Sequence, residues 1–372
     1  MKKLKVREII KATGAQMIAL GDMEEALEKE IWYVTQDSRE TKEGVLFVAR
    51  IGEVRDGHDF LPQCFENGVT ACLSQKVVAP KNGAIVLLVP DTGKALLDLT
   101  AYYRDLFDIP YVGITGSVGK TTTKDMIASV LSQKYNTLWT DGNYNNEVGV
   151  PLTMFRIEDH HEAAVIEMGM NHFGELDRIA TAVRPHIGVI SNVGVAHIGL
   201  LGSREGILKA KMEIREGMKE GSPLILCGDD DLLGSFEDER FRIIRYGIDN
   251  KNCPITAESV EESVGETRFV LCANGKKMPA RIPTFGRHNV LNALAAYAVG
   301  KEFGMEDEEI ISALNNYVPS GMRQRLVEVK GMTVVEDCYN CGPDSLKAAI
   351  AAMASMPCDG KKIMVLGDML EL

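Results

Sequence analysis

Short apolar runs recur along the chain, and each is followed by a polar or glycine-rich turn and a helix-like segment. Residues 109–114 form one such run; beyond the next glycines, Met126, Ile127, Val130 and Leu131 recur at helical spacing within residues 121–135. The runs at 163–169, 187–193 and 223–227 read as further buried strands, the first ending in a carboxylate. Strand alternating with helix over residues 109–317 predicts an α/β fold, with a mainly parallel sheet and helices on both faces. Residues 203–218 read as a helix capped by Ser203, and an alanine-rich helix starts at Gly286. Between them, residues 241–281 alternate with turns and are expected to form antiparallel edge strands.

Residues 1–108 repeat this pattern on a smaller scale. Strands are expected at 45–49, 70–73 and 85–89, a short helix at 59–67 stopped by Gly68, and a helix at 91–107 opened by Asp91. Beyond a linker at 319–321, the pattern predicts a strand at 333–336, a helix at 345–356 and a strand at 363–366. A third unit over 318–372 therefore holds only roughly 50 residues, few for a core of its own. It is expected to be a truncated domain, or one that leans on its neighbour.

The turn after the run at 109–114 carries the clearest chemistry. It reads Gly113-Ile114-Thr115-Gly116-Ser117-Val118-Gly119-Lys120-Thr121-Thr122. A glycine-rich turn between strand and helix lets backbone N–H groups close around an anion, and the helix N-terminus adds its positive end. Gly116, Ser117, Gly119 and Thr122 would frame the phosphates, Lys120 would reach the outer ones, and the Thr121 hydroxyl would bind Mg²⁺. The spacing G-x-x-G-x-x-G-K-T departs from the usual phosphate loop, because Ile114 stands where a glycine is customary. Glu167 and His197 follow two of the other strands, at the ends where ligands of such sheets gather. Beside a phosphate loop, that position favours a metal role for both.

Composition narrows the classes. Of 372 residues, 45% are hydrophobic and 25% charged, as in ordinary soluble globular proteins. The formal net charge of −12 argues against a general nucleic-acid-binding surface. Eight cysteines lack a framework spacing, which suits free thiols in a reducing cytoplasm. The N-terminus lacks the apolar stretch of a signal peptide, and no run approaches the ~18 apolar residues of a membrane span. Cys338 and Cys341 form a C-x-x-C without a second pair nearby. Asp37-Ser38-Arg39 and Asp56-Gly57-His58-Asp59-Phe60 are polar clusters that also read as ordinary turns. Asn289 and Asn292 share a face of one helical turn, where their amides could read a base edge or satisfy backbone.

Together these motifs closely resemble the Mur ligase family. The resemblance spans nearly the whole chain: the phosphate loop, Gly142-Asn143-Tyr144-Asn145-Asn146, Glu167-Met168-Gly169-Met170-Asn171-His172, Asp337-Cys338-Tyr339-Asn340 and the closing Leu366-Gly367-Asp368-Met369-Leu370-Glu371-Leu372. It implies three domains: 1–108 for a UDP-sugar, 109–317 for ATP, and a C-terminal Rossmann-like domain of which 318–372 is a part. The implied reaction is cytoplasmic. It joins D-alanyl-D-alanine to UDP-MurNAc-tripeptide through an acyl phosphate, using ATP and two Mg²⁺ ions. By the same resemblance, Thr121 and Glu167 hold one Mg²⁺, and the second lies near His197 and a carbamylated Lys211. Asn292, with Asn289, faces the adenine; Asn145 or Asn146 lies near metal and phosphates. Arg323, with Arg325 as the alternative, reaches the ATP phosphates, and Asp337 binds the ribose. Ser38 and Arg39 meet the UDP moiety, while Tyr339 and Asn340 lie near substrate. Gly342 replaces an asparagine usual in the family. A Mur-type ligase adding a single amino acid, a nucleotide switch or kinase, and an inactive binding module are the competing readings.

Overall fold

Five short strands make the sheet of the N-terminal unit: β1 (Gln16–Ile18), β2 (Tyr33–Thr35), β3 (Val45–Val48), β4 (Ala71–Ser74) and β5 (Ile85–Leu88). Their order is β1-β5-β4-β3-β2, parallel except where β1 meets β5. All of β3 and β4 is buried, which explains their unbroken apolar runs. Val45, Phe47, Phe65, Cys72 and Val86 belong to one core cluster there. This unit comprises Met1–Asp108, Tyr144–His161 and Thr181–Val183. The computed structural model describes residues 1–52, 54–319, 321, 323–356, 358 and 360–369.

The helix expected at 59–67 is α1 (Leu61–Glu66), preceded by a 3₁₀ turn over Gly57–Phe60. That turn accounts for one polar cluster. Asp56 accepts the His58 backbone N–H at 2.9 Å and lies 2.5 Å from His58 Nδ1, while His58 Nε2 accepts from the Gln75 N–H at 2.9 Å. Because Nε2 accepts, the ring proton sits on Nδ1 and points at Asp56. The helix α2 (Thr92–Arg104) is capped by Asp91, which accepts from the N–H groups of Gly93 and Lys94 at 2.7 and 3.0 Å.

The second unit comprises Ile109–Asn143, Glu162–Ala180 and Arg184–Leu372. Its strands are β6 (Tyr111–Thr115), β7 (Thr137–Trp139), β8 (Ala163–Glu167), β9 (Ile187–Ile190), β10 (Pro223–Cys227), β11 (Arg242–Gly247), β12 (Ile255–Ser263), β13 (Glu266–Ala273) and β14 (Lys276–Ile282). They form one sheet in the order β14-β13-β12-β11-β10-β9-β6-β8-β7. The block from β12 to β7 is parallel, and only β12-β13-β14 is an antiparallel meander. This corrects the expectation for 241–281, because β11 and the start of β12 extend the parallel sheet. The short helix Asp231–Gly234 stands between β10 and β11, and the crossover lets β11 run the same way as β10.

Helices α3 (Lys120–Leu131), α4 (Ile198–Leu201), α5 (Arg204–Lys211) and α6 (Arg287–Glu302) belong to this unit; α6 packs along α3. Ser203 caps α5 as expected, accepting from Gly206 at 3.1 Å, but after Lys211 the chain tightens into a 3₁₀ segment, Met212–Gly217. Further on, β15 (Arg325–Val329) and β16 (Met332–Glu336) form a hairpin, followed by α7 (Pro343–Ser355). The strand expected at 363–366 is not formed. No neighbouring strand among the described residues offers it a ladder, and Ile363 and Val365 stand 72% and 94% exposed.

Candidate active site

The order of strands reverses at β6, whose neighbours are β8 on one side and β9 on the other. Such a reversal opens a crevice at the carboxyl ends of the strands. The loop from Gly116 to Gly119 fills that place. Gly116 has φ +154°, and a Cβ on it would lie 1.9 Å from the Ser191 hydroxyl. Gly119, at φ +82°, caps α3 in the left-handed region that side chains rarely adopt. The loop is also held from β9. Asn192 Oδ1 accepts the Val118 N–H at 2.9 Å, and Ser191 Oγ and Asn192 Nδ2 donate to the Val118 carbonyl at 2.8 and 2.7 Å.

Lys120 opens α3 and donates to the Gly116 carbonyl at 2.9 Å, arching over the loop it follows. Thr121 Oγ1 donates to Glu167 Oε2 at 2.8 Å, and both residues are buried. Register explains the meeting: Glu167, last in β8, pairs with Ile114 of β6, one residue before the strand ends. Two residues overlooked in the sequence fix Glu167 further. Its N–H donates to Thr140 Oγ1 at 3.0 Å, and the Thr140 carbonyl accepts from buried Lys124 at 2.6 Å. Thr122 is half-buried in the first turn of α3.

Lys211 comes to the same place, although it stands 91 positions after Lys120 in the sequence. It is 2% exposed, and burial, reinforced by the charge of Lys120, drives its ammonium well below the usual lysine range. Burial also lowers Lys120, while Glu167 opposes that shift and Arg323 adds to it. Lys120, Glu167, Lys211 and Arg323 thus share one electrostatic site. His197 lies seven residues beyond β9, with φ +65° at the start of α4. Among the described residues no three His, Cys, Asp or Glu side chains gather as a metal cluster. The oxygens of Thr121 and Glu167 are hard donors of the kind Mg²⁺ takes, and Mg²⁺ commonly completes its shell with water and phosphate oxygens.

The asparagines of α6 are buried and already engaged. Asn292 Oδ1 accepts from Thr123 Oγ1 at 3.0 Å and its Nδ2 donates to Asn289 Oδ1 at 3.0 Å. Asn289 Nδ2 donates to the Phe285 carbonyl at 2.8 Å and to Gln324 Oε1 at 2.7 Å. The pair therefore ties the phosphate-loop helix to the segment leading into β15. Beside it, burial lowers His288 to about 4.

Arg323 stacks over the Tyr339 ring at 4.3 Å, whereas Arg325 faces Glu336 at 3.6 Å. Of the two arginines, only Arg323 bears on Lys120. Burial raises Asp337, against the opposing pull of the Gln324 N–H and Arg323. Asn340 Oδ1 accepts from the Cys341 N–H at 2.8 Å, and Gly342 opens α7, its N–H donating to Ser345 Oγ at 2.9 Å. Cys338 and Cys341 form no disulfide.

The remaining candidates belong to the first unit. Ser38 Oγ donates to Gln63 Oε1 at 3.1 Å, within a 3₁₀ turn capped by Asp37. Arg39 is held by the same Asp37 through bonds of 2.8 and 2.5 Å, yet its side chain is 83% exposed. Asn146 Oδ1 accepts from the N–H groups of Val148 and Gly149 at 3.1 and 2.8 Å, at the start of the helix Gly149–Met154; Asn145 precedes it.

A family model described as Mur ligase middle domain matches residues 114–300, and one described as Mur ligase, glutamate ligase domain matches residues 322–372. The UDP-N-acetylmuramoyl-tripeptide–D-alanyl-D-alanine ligase of Bacillus subtilis is 41% identical over 341 residues, covering 91% of this chain and 74% of that one. A crystal structure of MurF from Acinetobacter baumannii superposes with TM-score 0.88 at 31% identity, over 95% of this chain and 77% of that one. MurF ligase from Thermotoga maritima in complex with ADP superposes with TM-score 0.80 at 28% identity, over 87% of this chain and 75% of that one.

Proposed function

The chain belongs to the Mur ligase family, and from that premise we propose that it joins D-alanyl-D-alanine to UDP-MurNAc-tripeptide, converting ATP to ADP and phosphate. The reaction builds a peptidoglycan precursor from nucleotide-linked substrates, in the cytoplasm. Among the described residues no helix is long and apolar enough to cross a membrane. Residues 1–108 serve the UDP end, through Ser38 and Arg39. Residues 109–317 serve ATP, and 318–372 contribute Arg323, Asp337, Tyr339 and Asn340. The observation that carries this reading is the burial of Lys211 beside Lys120 at the phosphate loop. A switch that only hydrolyses nucleotide has no need of a second buried lysine there. An enzyme that must bring a carboxylate against a triphosphate does.

A carboxylate is a poor electrophile, because its leaving group would be oxide. Its oxygen therefore attacks the γ-phosphorus of ATP, the bond to the β-phosphate oxygen breaks, and ADP leaves. The amine of D-alanyl-D-alanine then adds to the acyl phosphate carbonyl; phosphate departs and the amine gives up a proton. The first step presses two anions together, so neutralising charge is the main demand. Lys120 and the backbone N–H groups at the N-terminus of α3 meet the phosphates, and Arg323 approaches from the C-terminal segment. Thr121 and Glu167 would hold Mg²⁺, with His197 and Lys211 near a second ion; the metal would supply further charge neutralisation.

Lys211 has a finer role in this reading. An amine held neutral by burial can add CO₂, forming an N–C bond and releasing a proton to give a carbamate. The neutral buried amine becomes an anion, a metal ligand opposite Lys120. Asn289 and Asn292 set the adenine wall. Product formation with ATP, Mg²⁺, the UDP-tripeptide and a panel of amines tests the whole. D-alanyl-D-alanine alone should be ligated and should stimulate ADP release. Ligation of a free amino acid instead would move the chain to another branch of the family, and hydrolysis without any acceptor would make it a switch.

A further inference from the structure

Three successive backbone N–H groups beyond β9 are each taken by a side chain from a different element. Val193 N–H donates to Asp230 Oδ2 at 2.8 Å, Gly194 N–H to Ser117 Oγ of the phosphate loop at 2.9 Å, and Val195 N–H to Asp344 Oδ2 at 2.9 Å. Asp344 stands in the first turn of α7, next to Pro343. Arg204 fixes the carbonyl side of the same loop, donating to the Val193 oxygen at 3.1 and 2.9 Å. Two residues after Val195 comes His197.

The approach of Asp344 depends on the residue it passes. A Cβ on Gly194 would lie 2.2 Å from Asp344 Oδ2 and 3.3 Å from Ser117 Cβ. Gly194 has no positive φ, so the backbone itself would accept alanine. What the glycine provides is room for a carboxylate 149 residues downstream of Val195. Nothing in the phosphate-loop chemistry by itself calls for that contact.

We infer that Asp344 is a positioning residue: it latches the segment carrying Arg323, Asp337 and Tyr339 onto the loop between the phosphate-binding turn and His197. The inference rests on the ligase reading above and extends it. Docking of the C-terminal segment and placement of His197 become one event, because a single carboxylate takes part in both. Ser117 reports the phosphate loop to the same three-residue stretch. Arg323 reaches the phosphates while the latch is made and the loop is in register.

The test uses the full chain with Asp344→Ala, Asp344→Asn, Gly194→Ala and the double variant Asp344→Ala/Gly194→Ala. An Asn oxygen can accept the same N–H, so Asp344→Asn should retain most of the ligation rate, whereas Asp344→Ala should lose about tenfold in kcat, the factor for one charged hydrogen bond. ADP affinity should change less than twofold in both. Gly194→Ala should match Asp344→Ala, and the double variant should be no worse than either single one. Hydrogen exchange of the Val195 amide is read in parallel on the nucleotide-bound protein. It should accelerate at least tenfold in Asp344→Ala and not in Asp344→Asn. Exchange does not depend on ligation, so the latch is tested even if the ligase reading fails, and that reading fails separately if the unaltered chain makes no product. Unchanged Val195 exchange in Asp344→Ala, or additive losses in the double variant, would overturn the latch. Melting temperatures of all four variants identify one that fails to fold, and Gly194→Ala still probes the contact from the opposite side.

Discussion

Replacing Glu167 by Gln separates what this carboxylate does for the fold from what it does for the reaction. The substitution keeps the shape and leaves an oxygen able to accept from Thr121 Oγ1, now 2.8 Å from Glu167 Oε2. A charged hydrogen bond becomes a neutral one, a loss of about 1 kcal/mol. Against that, a 1% exposed carboxylate no longer has to be kept out of water, which relieves a penalty that is commonly several kcal/mol and is only partly offset by nearby cations. The two nearly cancel, and stability should shift by no more than about 2 kcal/mol in either direction. Activity has no such compensation. Removing one preorganised electrostatic group from a transition state costs about 10²–10³ in rate, roughly 3–4 kcal/mol. Lys120 also loses the carboxylate that supports its charge, so its pKa falls further and the alkaline limb of the pH–rate profile should move to lower pH. The assays are ADP release and peptide product against Mg²⁺ concentration, with thermal unfolding alongside. A variant within fivefold of the unaltered rate refutes the catalytic assignment. A melting point that collapses with the rate would make Glu167 a structural residue.

Lys120→Ala should abolish product formation while raising or leaving unchanged the melting temperature, since a partly desolvated cation is removed; near-normal turnover would refute the loop assignment. Lys211→Ala should lose ligation and regain part of it with millimolar short-chain carboxylic acids, which mimic a carbamate; full activity without additive ends that reading. His288, lowered to about 4 from an ordinary 6.5, is neutral in the fold. The stabilisation is present above about pH 6.5 and is lost as pH falls towards 4, because the unfolded state takes up the proton first. Denaturant titrations should show at most about 3 kcal/mol of such loss, and His288→Gln should flatten it; an unchanged slope in that variant would assign the loss to other groups.

The chain order of apolar runs and glycines determined much of this protein before any coordinates. Parallel strands buried on both faces must be continuously apolar, so β6, β8, β9 and β10 were legible as runs. A loop that wraps an anion needs glycine where side chains cannot go, so Gly116 and Gly119 marked the site. Sequence spacing could not say which polar groups would be spent on each other. Helical spacing put the amides of Asn289 and Asn292 on one face, but only the fold shows that they engage Thr123, Phe285 and Gln324. The run at 363–366 reads as a strand, but a strand exists only where a neighbour supplies its hydrogen bonds. Lys124, Thr140, Asn192 and Asp344 left no signal at all. Their roles depend on contacts across 16 to 149 residues, and such distances close only when the sheet order is set. Local periodicity is a property of neighbours in sequence; the partner of a buried charge is decided by which strands lie side by side.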